Sequence, residues 1–145
     1  MAIKYYSKEW FEEMKKRTAS DQVYLSKGGK DLTYKSVYLL TDCPGGVDKQ
    51  AIWTLENGIL VDYKLEEKPA PSDWRTQPFD DKTYLMGVTG SYETYAKMNR
   101  KEITAMQALM QKVYKIDGPM PKIMTVMTGI NSLADVMSSI PVDYD

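Results

Sequence analysis

Gln50-Ala51-Ile52-Trp53-Thr54-Leu55-Glu56-Asn57-Gly58-Ile59-Leu60-Val61-Asp62-Tyr63-Lys64-Leu65-Glu66 is the stretch that decides the fold class. Asn57-Gly58 is a strong two-residue hairpin signal, because both residues tolerate the positive φ of a tight turn. The residues before it are rich in β-branched and aromatic side chains. After it, Ile59, Val61, Tyr63 and Leu65 alternate with Leu60, Asp62, Lys64 and Glu66, which predicts a strand with one apolar face. Upstream, Thr33–Thr41 has the same β character and leads into the turn Pro44-Gly45-Gly46-Val47-Asp48. These features predict a three-stranded antiparallel meander over residues 33–66.

Helical patterns flank the meander. Ser7 is placed to cap a first helix reaching about Arg17, with Tyr6, Trp10, Phe11 and Met14 on one side. One short helical turn fits Asp21–Leu25. Residues 67–82 hold three prolines around Trp74 and Phe79, predicting an aromatic-anchored loop. Lys82–Val88 reads as a fourth strand and Gly90-Ser91 as the start of a helix. Asn99 and Glu102 have capping-box spacing, and a further helix carries Ile103, Met106, Leu109 and Met110. Lys112–Asp117 reads as a fifth strand. A final helix over Lys122–Ser139 is expected to break near Gly129–Ser132. The element order is α+β, in a single domain spanning residues 1–145.

Composition excludes several chemistries. The chain has no histidine, so Ser-His-Asp and Cys-His catalysis are impossible and metal binding loses its commonest ligand. Cys43 is the only cysteine, so it reads as an unactivated turn thiol in a reducing, cytoplasmic setting. No phosphate-cradling glycine motif appears, and no cofactor is expected. The formal charge of −1 argues against a nucleic-acid partner. No apolar run is long enough to span a membrane, and the N-terminus lacks a secretory signal pattern.

Eight of the ten methionines lie between Met86 and Met137. Met106 and Met110 are four apart, and Met120, Met124 and Met127 step by four and three, so each set shares a helical face. Such a face is either packed core or the wall of an adaptable apolar pocket, because methionine refits around different shapes.

Three stretches resemble the sterol carrier protein type 2 family. Residues 83–95, Thr-Tyr-Leu-Met-Gly-Val-Thr-Gly-Ser-Tyr-Glu-Thr-Tyr, resemble its fourth strand running into a short helix. Ile103–Met110 falls where the family has its next helix. Residues 112–120, Lys-Val-Tyr-Lys-Ile-Asp-Gly-Pro-Met, resemble its last strand before the final apolar helix, although the family's acidic residue after that glycine is replaced by Pro119. The resemblance implies a mixed five-stranded sheet, helices over one face, an apolar tunnel, and non-catalytic binding of acyl, acyl-CoA, sterol-like or phospholipid molecules. By position it implies a tunnel lined by Met106, Leu109, Met110, Met120, Ile123, Met124, Met127, Ile130, Leu133 and Met137. Met124, mid-stripe, is the expected place to block it. Two other functions fit the residues: an accessory domain whose terminal helix covers a partner or a second copy, and a small enzyme using Asp62, Asp117 or Asp135 as a base near Tyr63, Tyr92, Tyr95 or Tyr114.

Overall fold

The structure, a computed structural model, describes residues 3–144. In chain order its elements are β1 (Ile3–Lys4), α1 (Lys8–Ser20), α2 (Gln22–Ser26), β2 (Tyr34–Cys43), β3 (Val47–Glu56), β4 (Ile59–Pro69), β5 (Met86–Ser91), α3 (Tyr92–Asn99), α4 (Ala105–Met110), β6 (Tyr114–Asp117), α5 (Met120–Thr125), α6 (Met127–Ser139) and β7 (Val142–Asp143). The main sheet has the order β4-β3-β2-β5-β6. Its β2–β5 pairing is parallel and the others are antiparallel, so the sheet is mixed. β1 and β7 form a separate parallel pair that ties the two ends of the chain together.

Caps start the helices where the sequence supplies them. The Ser7 side chain accepts from Trp10 N–H, Asp21 from Tyr24 N–H, and Ser91 from Thr94 N–H. The capping box lies at Thr104 and Gln107, not at Asn99 and Glu102. Asn99 instead ends α3 and donates to the Tyr144 hydroxyl.

The strand after Asn57-Gly58 departs from simple alternation. Thr54 pairs with Asp62 while Leu55 pairs with Leu60, leaving Val61 as an extra residue. This bulge shifts the phase. Leu60 is buried, Val61 is exposed, and Tyr63 and Leu65 turn back to the core. The Leu60 N–H donates to Thr18 Oγ1 on α1 at 3.0 Å, so the bulge docks the first helix on the sheet.

The last helical stretch breaks at Val126, not near Gly129–Ser132. Gly129 lies inside α6 and lets Gly28 approach: a Cβ there would collide with Gly28 O and meet Leu32 Cδ2 at 2.8 Å. Ser132 does not cap a helix but donates to Lys27 O. The fourth strand also starts later than Lys82, since residues 82–85 remain loop.

The two sheet faces are covered differently. Trp53, Tyr38 and Val88 face the helices and join a core built on Tyr6, Trp10, Phe11 and Met14. Stacked and edge-on rings hold that core, with Tyr6 4.9 Å from Trp10 and Phe11 4.8 Å from Tyr63. The other face is covered by the loop over residues 70–85, whose Trp74 is buried. Phe79 rests on Gly87, where a Cβ would meet its ring at 2.8 Å. Asp48, fully buried, accepts from the Arg75 guanidinium, the Ser72 N–H and hydroxyl, and the Asp42 N–H, and so holds this loop to the sheet.

Candidate functional site

An apolar cavity of about 460 Å³ lies between the helix-covered sheet face and α3, α5 and α6. The sheet supplies Tyr38, Trp53, Met86, Val88, Tyr114 and Ile116. These alternate along their strands, so the two-residue period delivers them to one side. Helix α3 adds Tyr95 and Met98. The α5–α6 segment adds Ile123, Met127, Ile130, Leu133 and Met137, spaced to share one helical face. Tyr5 and Tyr6 enter from the N-terminal segment.

The wall is chemically divided. Tyr5, Tyr6, Tyr38, Tyr95 and Tyr114 gather phenol groups in an otherwise apolar space. Tyr95 donates to Val88 O at 3.0 Å. Burial raises the pKa of all five, Tyr38 to about 12, and neighbouring phenols reinforce the shift at Tyr5, Tyr6, Tyr95 and Tyr114. They are therefore neutral at physiological pH and offer hydroxyls, not charge. The charged lining residues are Lys101 and Asp135, both exposed at the rim and ion-paired at 2.6 Å. Asn99, Thr104, Asn131 and Ser138 complete that polar edge.

Of the ten positions expected to line a tunnel, the structure brings Ile123, Met127, Ile130, Leu133 and Met137 to the cavity. Met106, Leu109, Met110, Met120 and Met124 do not line it. Helix α4 has six residues and buries only Ala108; Met106 and Met110 sit two positions to either side, on the opposite face. Helix α5 buries only Ile123, leaving Met120 and Met124 exposed. The tyrosine and tryptophan side of the cavity is not among the ten expected positions. Its signal is the strand alternation that places Tyr38 and Trp53 on the same face as the helices.

The other candidates are accounted for structurally. Asp62 is exposed on β4, and Asp117 is half-buried 3.6 Å from Lys115. The Cys43 thiol is buried, donates to Leu40 O, and has its pKa pushed up to about 11 by burial. Among the described residues no group of three or more His, Cys, Asp or Glu could hold a metal ion. No helix among them is long and apolar enough to cross a membrane.

The architecture is that of a single α+β domain with an apolar cavity, open at one rim, between sheet and helices. Solved structures identify the particular fold as that of sterol carrier protein 2. A conserved hypothetical protein from Thermus thermophilus, described as a possible sterol carrier protein, superposes with a TM-score of 0.73 at 12% identity over 99% of this chain and 94% of that one. A crystal structure of sterol carrier protein 2 gives 0.73 at 10% identity, over 94% of this chain and 99% of that one. The ubiquinone-synthesis protein UbiJ-SCP2 gives 0.53 at 8% identity, over 90% and 89%. No protein-family model matches the chain, and no curated protein matches it in sequence.

Proposed function

We propose that the protein is a non-catalytic, cytoplasmic carrier for lipid-like apolar molecules, held in the cavity between the sheet and α3, α5 and α6. The observation that carries this reading is an apolar cavity of about 460 Å³ beside a core of buried aromatic and aliphatic side chains. Its volume falls in the range of about 300–1,000 Å³ that accommodates small-molecule ligands. Each buried methylene contributes about 0.8 kcal/mol, so burial alone can hold an acyl chain or a fused-ring hydrocarbon. Tyr5, Tyr6, Tyr38 and Tyr114 offer hydroxyls to a neutral hydroxyl or carbonyl, while the Tyr95 proton is committed to Val88 O. The lysine on the wall is already paired with Asp135, so a carboxylate pushed to the inner end would lose its hydration without finding a countercharge. The binding residues under this reading are Ile123, Met127, Ile130, Leu133 and Met137, with the tyrosines and Trp53 opposite. Asp135 is engaged at the rim and, among the described residues, is the one carboxylate lining the cavity, which does not favour a mechanism built on paired carboxylates.

The test is displacement of an environment-sensitive acyl probe by fatty alcohols and fatty acids of graded length. Affinity should rise with chain length, and alcohols should compete at least as well as acids of equal length. Affinity indifferent to length, or no probe binding by folded protein, overturns the carrier reading.

A further inference from the structure

The expected lining methionines that miss the cavity are exposed and fall in one stretch of the chain. Among the described residues seven large hydrophobic side chains are exposed, and five of them, Met106, Met110, Val113, Met120 and Met124, lie within a nineteen-residue segment. The exposures decide the matter: Met110 is 76% exposed, Met106 65% and Met124 59%. In a water-facing role such side chains are costly, and clustering marks a surface that meets an apolar phase.

Charge identifies that phase. Between Ile103 and Thr128 the sequence carries Lys112, Lys115 and Lys122 against one acid, Asp117, in a chain with 20 acidic and 19 basic residues. Lys115 lies near Asp117, while Lys112 and Lys122 make no ion pair among the described residues. All three lysines are exposed. We infer that the α4–β6–α5 edge docks on an anionic phospholipid surface, with its methionines entering the interface and its lysines facing the headgroups. Flexible, unbranched methionines suit a surface of irregular depth, and a basic border with apolar side chains is the composition of an interfacial segment. Anionic leaflets attract such lysines over roughly a Debye length. A second copy of the chain fits less well, because a face-to-face pair would bring the unpaired lysines of both copies together with a single acid each.

The placement joins the docking surface to the cavity. Ala105 at the start of α4, Tyr114 and Ile116 in β6, and Ile123 in α5 line the cavity, while Met106 and Met110 lie opposite the buried Ala108 and Met120 and Met124 are exposed on α5. One wall of the cavity would thus rest on the membrane.

The experiment is co-sedimentation of the full chain with extruded vesicles of phosphatidylcholine alone or with about 30% phosphatidylglycerol, at ~50 and ~500 mM salt. It needs no bound ligand, so it can fail without touching the carrier reading. Expected is at least tenfold tighter binding to the anionic vesicles at low salt, lost at high salt. Met110→Gln with Met124→Gln, and separately Lys112→Glu with Lys122→Glu, should each lower vesicle affinity at least fivefold while circular dichroism and acyl-probe binding in solution stay unchanged. No vesicle binding by the parent chain, equal binding to neutral vesicles, or full binding by both double variants overturns the inference. So does a parent chain that is a dimer, with Met110→Gln/Met124→Gln monomeric, since the patch is then a self-association face.

Discussion

Lys101 Nζ donates to Asp135 Oδ1 at 2.6 Å, joining the turn after α3 to α6 at the rim of the apolar cavity. Both side chains are more than half exposed, so the pair contributes at most about 1 kcal/mol to stability. Under the carrier reading its place among the cavity-lining residues predicts a second role: a ligand leaving between these walls would displace it or slip beneath it. Lys101→Ala or Asp135→Asn should leave thermal stability within the scatter of surface substitutions and accelerate probe release severalfold. Raising the salt should speed release from the parent toward the variants' rate. Stopped-flow displacement checks this; equal release rates in parent and variants would remove the pair from the exit path.

The Val61 bulge makes Thr18 more than a helix residue. Thr18 Oγ1 donates to Met14 O and accepts from Leu60 N–H, and it is fully buried. Thr18→Val keeps the shape and leaves the Leu60 N–H without a partner, a loss of about 1–3 kcal/mol. Thr18→Ser keeps the hydroxyl and should recover the larger part of that loss. Urea unfolding of the two variants measures the difference, and equal midpoints would mean that shape, not the hydrogen bond, docks α1.

Acid stability should report on Asp48. The Arg75 guanidinium first, then the Ser72 and Asp42 groups, hold its carboxyl well below the usual carboxylate range, against the opposing effect of burial. A folded-state pKa below the unfolded value of about 3.9 means the stabilisation is complete above that value and is lost as pH falls through the depressed folded value. Asp48→Asn should therefore be about 1.5–3 kcal/mol less stable at pH 7, the worth of hydrogen bonds to a charged group. The gap should close progressively below about pH 4. A gap independent of pH would show that Asp48→Asn loses packing and not charge.

Much of this fold could be read from the chain because local chemistry fixes it. Ser7, Asp21 and Ser91 cap helices, and Asn57-Gly58 closes the hairpin. What escapes such a reading depends on contacts remote in sequence. Val61 is extra only because β3 and α1 together accept a phase shift. Gly129 reads as a helix breaker, yet it stays helical because Gly28, about a hundred residues earlier, packs against it. The methionine spacing pairs Met106 with Met110, but the break at Val126 parts Met127, which lines the cavity, from exposed Met120 and Met124, and periodicity does not tell whether a face points in or out. In six-residue helices with one buried anchor, Ala108 in α4 and Ile123 in α5, most of the surface is left outside.

That division of the methionines yields the sharpest test of the site. Met127 lines the cavity at the start of α6 and is half-buried, whereas Met124, three residues earlier, is exposed. A tryptophan at each position adds similar volume in different places. In a packed core the extra volume would cost about 1–3 kcal/mol. At Met127→Trp the ring can occupy empty cavity, so the stability change should be smaller than that while acyl-probe affinity falls at least tenfold. At Met124→Trp the ring stands in solvent, and both stability and probe affinity in solution should match the parent. Met127→Ala removes wall without filling space; it should weaken probe binding only modestly. Probe titration and urea unfolding of the three variants decide between wall and core. Severe destabilisation by Met127→Trp with unchanged probe affinity would assign Met127 to packing, and loss of binding in Met124→Trp would place the ligand outside the cavity, against the exposed methionine face.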